Sequence, residues 1–352
     1  MARDGQGRIE IIIVDLCQNY YWTKMEHSIK RINSDNETDS LVNKHFQTNT
    51  GKGFVEVGES KFCLSAYYEE YRNELENFQV RDSDVYLVAH PKTGTTWVQE
   101  MIWLIVNDLN YERAKAQKNY IRFPNLDSAL HREDSKLLAG MDFMEYLNQL
   151  PDPRCIRTHL PWSLLPKQIR DGTKKPKIIT VIRSAEDVCV SYYHHFKLMN
   201  AYTGSFDEFC QLFLAGRVCY GPFWKSVLDI WQHRHASNVH FITYADMKND
   251  LVGAIKDCAK FLERDLSENA VEKLEKHLNF DSMRQNPAVN MMGIVENISK
   301  KNNVPIDGRH FFRKGIVGSH KLEMTEVQIE RFKKWTQDSL EGTAMDIEKL
   351  GT

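Results

Sequence analysis

From about residue 55 onward, short apolar runs alternate with longer segments whose apolar positions recur at helical spacing. Val85 to Ala89 is the first run. The segment from about Thr95 to Asn107 after it repeats Trp97, Met101, Leu104, Ile105 and Val106 near the helical period. Cys155 to Thr158 is a second short strand, stopped by Pro161. Lys177 to Ile182 is the clearest buried strand, and it runs at once into Arg183 and a helix start at Ser184-Ala185-Glu186-Asp187. Val239 to Thr243 is a fourth, with Tyr244 at its end. Helical patterns then dominate over about Asp250 to Leu262, Ser267 to Leu278 and Thr325 to Leu340. This alternation predicts an α/β fold: a single domain with a central parallel sheet flanked by helices and a P-loop-like phosphate-binding loop.

The pattern divides the chain into an N-terminal extension over 1–54, a main domain over 55–345 and a short tail over 346–352. Polar, turn-forming stretches at Ser34 to Ser40 and Thr48 to Gly53 predict a loosely ordered arm. Its one strand-like run is Ile11 to Val14. That run lies too far upstream of the phosphate loop for the following Asp15 to serve as a Walker B acid.

Composition narrows the function classes. The 352 residues are 42% hydrophobic and 27% charged, ordinary for a soluble globular protein. With 46 basic and 48 acidic residues the net charge is -2, so general nucleic-acid binding is not expected and any anion site must be local. Seven scattered cysteines without a CxxC pair point to reduced thiols, and the histidines and cysteines show no metal-ligand spacing. No apolar run is long enough to span a membrane, and Glu10 and Asp15 flank Ile11 to Val14 in a way unlike a signal peptide. A cytoplasmic protein is the expectation, with the sequons at Asn36 and Asn297 read as chance.

The chemistry gathers at strand ends. Lys92, His159, Arg183 and Tyr244 each follow the carboxyl end of a strand, and in an open parallel sheet those ends share the ligand-binding edge. The loop Pro91-Lys92-Thr93-Gly94-Thr95-Thr96-Trp97 joins strand to helix, so backbone N–H groups, a lysine and small hydroxyls can surround an anion. It is not a Walker A loop, because its lysine precedes the glycine. A surface lysine beside an ordinary helix cap is the bland alternative, weakened by strand, loop and helix occurring in the required order. His159 at the ligand edge can take a proton from an acceptor hydroxyl. Arg157, two residues earlier, is expected on the same face as a fixed charge. Arg183 and Ser191 can converge on one phosphate across a strand-to-helix junction, although a capping cluster with a core serine reads equally well alone. Phe311-Phe312-Arg313-Lys314-Gly315-Ile316-Val317-Gly318 reads as a basic turn or as a flap closing over a second phosphate. Trp97, Tyr244 and Phe280 can flank a purine or simply pack in the core. No acid for Mg²⁺ stands where a P-loop kinase carries one, since Lys177 to Ile182 ends in Arg183. Protein cations, without metal, are expected to hold the donor.

Taken together, these segments resemble the cytosolic sulfotransferase family, which transfers the sulfuryl group of 3′-phosphoadenosine 5′-phosphosulfate (PAPS) to hydroxyls or amines. The resemblance covers about residues 55 to 345. It rests on the Pro91 to Trp97 loop, Arg157-Thr158-His159-Leu160-Pro161, Arg183 with Ser191, and Arg313 to Gly318. His277-Leu278-Asn279-Phe280 with Ala288-Val289-Asn290 looks most like arthropod members, retinol dehydratase among them.

The resemblance implies a PAPS site of Lys92, Thr93, Gly94, Thr95, Thr96, Trp97, Arg183, Ser191, Tyr244, Phe280, Met283, Arg313, Lys314 and Gly315. It implies His159 as general base, Lys92 as stabiliser of the leaving phosphate, and Ser191 as restraint on Lys92. Arg157 and His159 would face a small lipophilic acceptor such as a phenol, steroid or retinoid-like alcohol. Several departures stand out. Arg157 replaces a lysine, Leu278 a threonine, and Ser319-His320 an Asp-Trp pair. His195 follows His194 where many relatives have a pocket phenylalanine, and both read as pocket or rim residues. The family's dimer motif, here Lys321, Thr325, Glu326 and Glu330, carries glutamate in place of valine, which puts a homodimer of that kind in question. The competing readings are an ATP-dependent kinase and a non-catalytic PAPS-binding protein. Sulfation leading on to dehydration is a variant of the main reading.

Overall fold

The computed structural model describes residues 28–50, 52–130, 142–200, 202–302, 306 and 308–346. Four strands form the central parallel sheet: β4 (Val85–Val88), β5 (Cys155–Thr158), β6 (Lys177–Ile182) and β7 (Val239–Thr243), in spatial order β5-β4-β6-β7. Val85 pairs with Cys155, Leu87 with Ile179, and Ile182 with Thr243. Strand alternation distributes their side chains to two cores. Val85, Leu87, Ile179 and Val181 pack on one side with the Thr95–Val106 helix. Tyr86, Val88, Ile178 and Ile182 pack on the other, with the Ala185–Met199 and Phe223–Trp231 helices. From β4 the chain goes to β5 on one side, then crosses to β6 on the other. That reversal opens a crevice beside the end of β4, where Lys92 emerges.

A second sheet was not legible in the pattern: antiparallel β1 (Ile29–Arg31), β2 (Phe54–Val57) and β3 (Phe62–Ser65), ordered β1-β2-β3. Its strands are short, and β3 is buried at every position, so no two-residue alternation marks it. It is clipped to the distant Tyr220 turn, with Tyr220 N–H donating to Cys63 O and Cys63 N–H to Gly221 O, both at 2.7 Å.

The expectation of a loosely ordered arm over 1–54 does not hold for its described part. Residues 28–50 contribute β1 and the Glu37–Thr50 helix. Val42 and Phe46 of that helix are buried. Asp39 accepts from Arg217 Nε at 2.6 Å, and Arg217 also reaches Glu56 at 2.7 Å. These partners lie far along the chain, so local polarity alone misread the segment. The Ile11 to Val14 run falls outside the described residues. Among them, no helix is long and apolar enough to cross a membrane.

One ion pair fixes the sheet at the end opposite the crevice. Arg154, just before β5, donates from Nε and Nη2 to Asp84, just before β4, at 2.8 and 2.6 Å. Both side chains are fully buried, and Arg154 Nη2 also reaches Gln79 O at 2.8 Å. Asp84→Ala would strand a buried guanidinium and is expected to cost about 3–5 kcal/mol in urea unfolding. An apolar pair at both positions should recover most of that loss. Equal instability of single and double variants would show that the pair does not act as a unit.

Candidate active site

The loop after β4 is stapled from within. Thr93 Oγ1 donates to His90 O and His90 Nδ1 donates to Pro91 O, each at 2.9 Å. Burial holds the His90 imidazole neutral, its pKa pushed from 6.5 to about 3. Thr93, expected among the cofactor-binding side chains, is therefore turned inward and leaves only its backbone to the ligand edge. Lys92 and Gly94 both take left-handed backbone conformations, with φ of 69° and 114°. Holding the lysine there costs on the order of 1 kcal/mol. At Gly94 a Cβ would stand 2.8 Å from the Tyr244 ring, so glycine is needed for space as well as for angle.

The loop opens onto a cleft of about 760 Å³, counting space open to solvent. Thirteen of the fourteen expected cofactor residues line it; Thr93 does not. Five cations are among the lining residues: Lys92, Arg183, Arg313, Lys314 and Lys248. Thr95 and Thr96 open the following helix there, and Ser191 enters from the Ala185–Met199 helix, so Arg183 and Ser191 both line the cleft. Aromatic and apolar residues share that lining with the cations: Lys248 Nζ lies 5.7 Å over the Trp97 ring. Trp97 and Tyr244 meet edge to face at 5.7 Å, and Trp97 Nε1 donates to Leu278 O at 2.8 Å. Leu278 thus keeps a backbone hydrogen bond at the position where the family threonine's side chain is missing. Phe280 packs so closely on Gly315 that a Cβ there would lie 2.3 Å from its ring.

Crowding of like charges sets the electrostatics. Lys92 is part-buried, with Nζ 4.4 Å over the Phe311 ring. Burial, then the charges of Arg183, Arg157 and Arg313, pull its pKa from 10.5 to about 7. Arg183 lies over the Tyr244 ring at 4.3 Å, and its Nε is a buried donor without a hydrogen-bond partner. A buried unpaired guanidinium N–H beside a cluster of cations suits an anionic ligand.

Asp187 counters this charge. Its Oδ2 accepts from Arg183 Nη2 at 3.1 Å and Gly318 N at 2.9 Å. Its Oδ1 accepts from Ser319 Oγ at 3.2 Å, His320 N at 2.9 Å and His320 Nδ1 at 3.0 Å. Burial alone would raise the Asp187 pKa, but the His320 hydrogen bond and Arg183 outweigh it and hold the carboxyl well below its usual range. Arg313 Nη2 donates to Ser319 Oγ at 3.1 Å, so both guanidiniums are tied to one carboxylate. The Ser319-His320 departure thus forms part of the anchor of the flap.

His159 is not among the residues lining the cleft; it stands after β5, against the residue that follows β4. Its Nδ1 is 2.7 Å from Ala89 O. A carbonyl only accepts, so Nδ1 carries the proton and Nε2 is the nitrogen able to receive one. Asp127, fully buried and missed in the sequence, fixes this residue. It accepts from His159 N at 3.0 Å, Thr158 Oγ1 at 2.7 Å and the Tyr220 hydroxyl. Tyr220 packs edge-on to the imidazole at 5.3 Å. Arg157 and His159 turn to different neighbours: Arg157 Nη1 reaches Gln99 Oε1 at 3.3 Å, on the helix after the loop, while the His159 ring packs on Tyr220.

His194 and His195, read as pocket or rim residues, are not among the cleft's lining residues, but the His195 ring lies 6.1 Å from Phe311, which is. His194 instead meets Glu323, at 2.5 Å. Lys248 was also missed, although its spacing of one helical turn from Tyr244 is visible in the sequence.

Comparison with known proteins decides what this arrangement belongs to. Residues 82–344 match the family described as the sulfotransferase domain. The chain belongs to the sulfotransferase family. It is 37% identical over 331 residues to luciferin sulfotransferase of Photinus pyralis, covering 92% of this chain and 89% of that one. It is 33% identical to mouse sulfotransferase 1 family member D1, with 75% and 86% covered. Among solved structures, retinol dehydratase in complex with androsterone and the inactive cofactor PAP superposes with a TM-score of 0.80 at 28% identity, covering 92% and 98%. This chain is therefore a sulfotransferase enzyme, and the kinase and non-catalytic readings fall away.

Two outcomes test this electrostatic and steric picture in the ligand-free sulfotransferase. Below pH 7 Lys92 is charged in both folded and unfolded states, and the fold bears the full cost of that charge. Between about 7 and 10.5 only the unfolded chain keeps the proton, so the cost fades. Lys92→Met should therefore raise the urea midpoint at pH 6, with the gain shrinking toward pH 10. A pH-independent gain would remove charge as its cause. Gly315→Ala should cost about 1–3 kcal/mol. Much of that loss should disappear in a Phe280→Ala background, and additive losses would mean the close approach is unimportant.

Proposed function

We propose that this sulfotransferase moves the sulfuryl group of PAPS to a hydroxyl of a small lipophilic acceptor, with His159 as general base and no metal. The observation that carries the reading is the His159 tautomer fixed by Ala89 O, together with a cleft lined by five cations and by aromatic rings. The donor supplies the sulfuryl group and departs as adenosine 3′,5′-bisphosphate. Lys92, Thr95, Thr96 and the backbone of Thr93 and Gly94 would hold its 5′ side, and Arg183, Ser191, Arg313, Lys314 and Gly315 its 3′-phosphate. Trp97, Tyr244, Phe280 and Met283 would enclose the purine.

His159 Nε2 would accept the proton of the attacking hydroxyl, with Ala89 O and Asp127 keeping the ring turned and the tautomer fixed. Lys92, only partly protonated at neutral pH when the cleft is empty, would take on full charge as anionic oxygen approaches, and Ser191 would restrain it beforehand. Arg157 contributes charge through its Gln99 anchor rather than direct acceptor contact. The lipophilic acceptor class is supported by solved relatives that hold retinol or androsterone together with PAP.

Turnover of PAPS with phenols, steroids and retinol, with and without EDTA, tests the proposal. Transfer should persist in EDTA, and product mass separates a stable sulfate from a dehydrated product. His159→Ala is expected to reduce transfer by at least about 10²-fold. Binding of adenosine 3′,5′-bisphosphate by calorimetry should stay near wild type. A strict Mg²⁺ requirement, or joint loss of turnover and nucleotide binding in His159→Ala, would overturn it.

A further inference from the structure

Glu323 stands outside the cleft but controls two of the cations that line it. Its Oε1 accepts from Arg313 Nη1 at 2.5 Å and from Lys314 Nζ at 3.3 Å. Its Oε2 meets His194 Nε2 at 2.5 Å. His194 belongs to the Ala185–Met199 helix, which also carries Ser191 into the cleft. One carboxylate therefore joins two consecutive flap cations to the helix on the far side of the proposed 3′-phosphate pocket. Ser319 Oγ takes Nη2 of the same guanidinium at 3.1 Å. With Nη1 and Nη2 each engaged on the flap, the orientation of the Arg313 plane is determined while the residue still lines the cleft.

We infer that Glu323 is a positioning residue for donor recognition: it pre-orients Arg313 and Lys314 toward the donor's 3′-phosphate and, through His194, holds the flap against the Ser191 helix. This rests on the reading of the cleft as a PAPS site. Arg and Lys carry large rotamer freedom, and a flap that presents them already ordered loses less on binding. The carboxylate lies outside the cleft, so it orients the guanidinium without occupying the ligand's space. Burial and the neighbouring Arg183 depress the Arg313 pKa, and Glu323 works against both. Burial also raises the Glu323 pKa, but His194, Arg313 and Lys314 outweigh it, so the carboxyl is ionised near neutrality.

The test compares adenosine 3′,5′-bisphosphate with adenosine 5′-monophosphate by calorimetry on the full chain. Wild type should prefer the bisphosphate. Glu323→Gln should lose about tenfold in bisphosphate affinity while monophosphate affinity is unchanged. Glu323→Asp should restore part of the loss. In steady state the KM for PAPS should rise with kcat preserved at saturation, the pattern of lost positioning rather than lost chemistry. Unchanged or tighter bisphosphate binding in Glu323→Gln would overturn the inference, the latter by making Glu323 a competitor for Arg313. An equal loss for both nucleotides would assign Glu323 to the fold alone. A wild type without preference for the bisphosphate would overturn the 3′-phosphate reading, and this inference with it.

Discussion

Crowding of cations at one edge of a parallel sheet is the constraint on which this molecule depends. The chain is slightly acidic overall, with a net charge of -2, yet Lys92, Lys248, Arg183, Arg313 and Lys314 all line one cleft. Like charges at such distances repel, and the depressed Lys92 pKa is the direct mark of that repulsion added to burial. Two devices keep the arrangement standing. Aromatic faces take part of the charge, with Phe311 under Lys92 and Tyr244 under Arg183. Two carboxylates take the rest, Asp187 for Arg183 and Glu323 for Arg313. Both approach from outside the cleft, so the cleft keeps its positive face.

Shape follows from close contact of glycine with aromatic rings. Gly94 lets the phosphate-type loop lie against Tyr244, and Gly315 lets the flap lie against Phe280. Both rings also line the cleft, and Arg183 lies over one of them, so the parts that carry charge and the aromatic parts share their contacts. His159 is set on a separate scaffold. Ala89 O selects its tautomer, and Asp127 binds its backbone and Tyr220. Tyr220 is in turn held to β3 through Cys63, so the antiparallel sheet reaches His159 by one hydrogen-bonded chain.

What could be read in the sequence divides along a physical line. The four parallel strands and the residues after them were legible, because a buried parallel strand is a continuous apolar run and its end is marked by a polar or charged residue. The helices Leu251–Phe261, Glu268–Leu278 and Glu326–Leu340 matched their periodic patterns within a residue or two at each end. The arm, β1 to β3, Asp127 and Glu323 were not legible. Each owes its place to partners far away in the chain, as Asp39 does to Arg217 and Glu323 to His194. The side-chain directions of Thr93 and Arg157 were not legible for a related reason. Motif membership placed their backbone correctly, but the side chains turned to His90 O and Gln99.

The unusual flap shows how distant departures can belong together. The family pattern has aspartate and tryptophan where this chain has Ser319 and His320. An aspartate at 319 would add a second carboxylate beside Asp187, whereas Ser319 bridges Asp187 and Arg313 as donor to one and acceptor from the other. A neutral bridge leaves Arg313 in need of a negative partner, and Glu323 supplies one from the following turn. His320 fits the same logic: its Nδ1 donates to Asp187 Oδ1, filling the acceptor beside Ser319. Ser319, His320 and Glu323 thus act together, the first two on Asp187 and the first and last on Arg313.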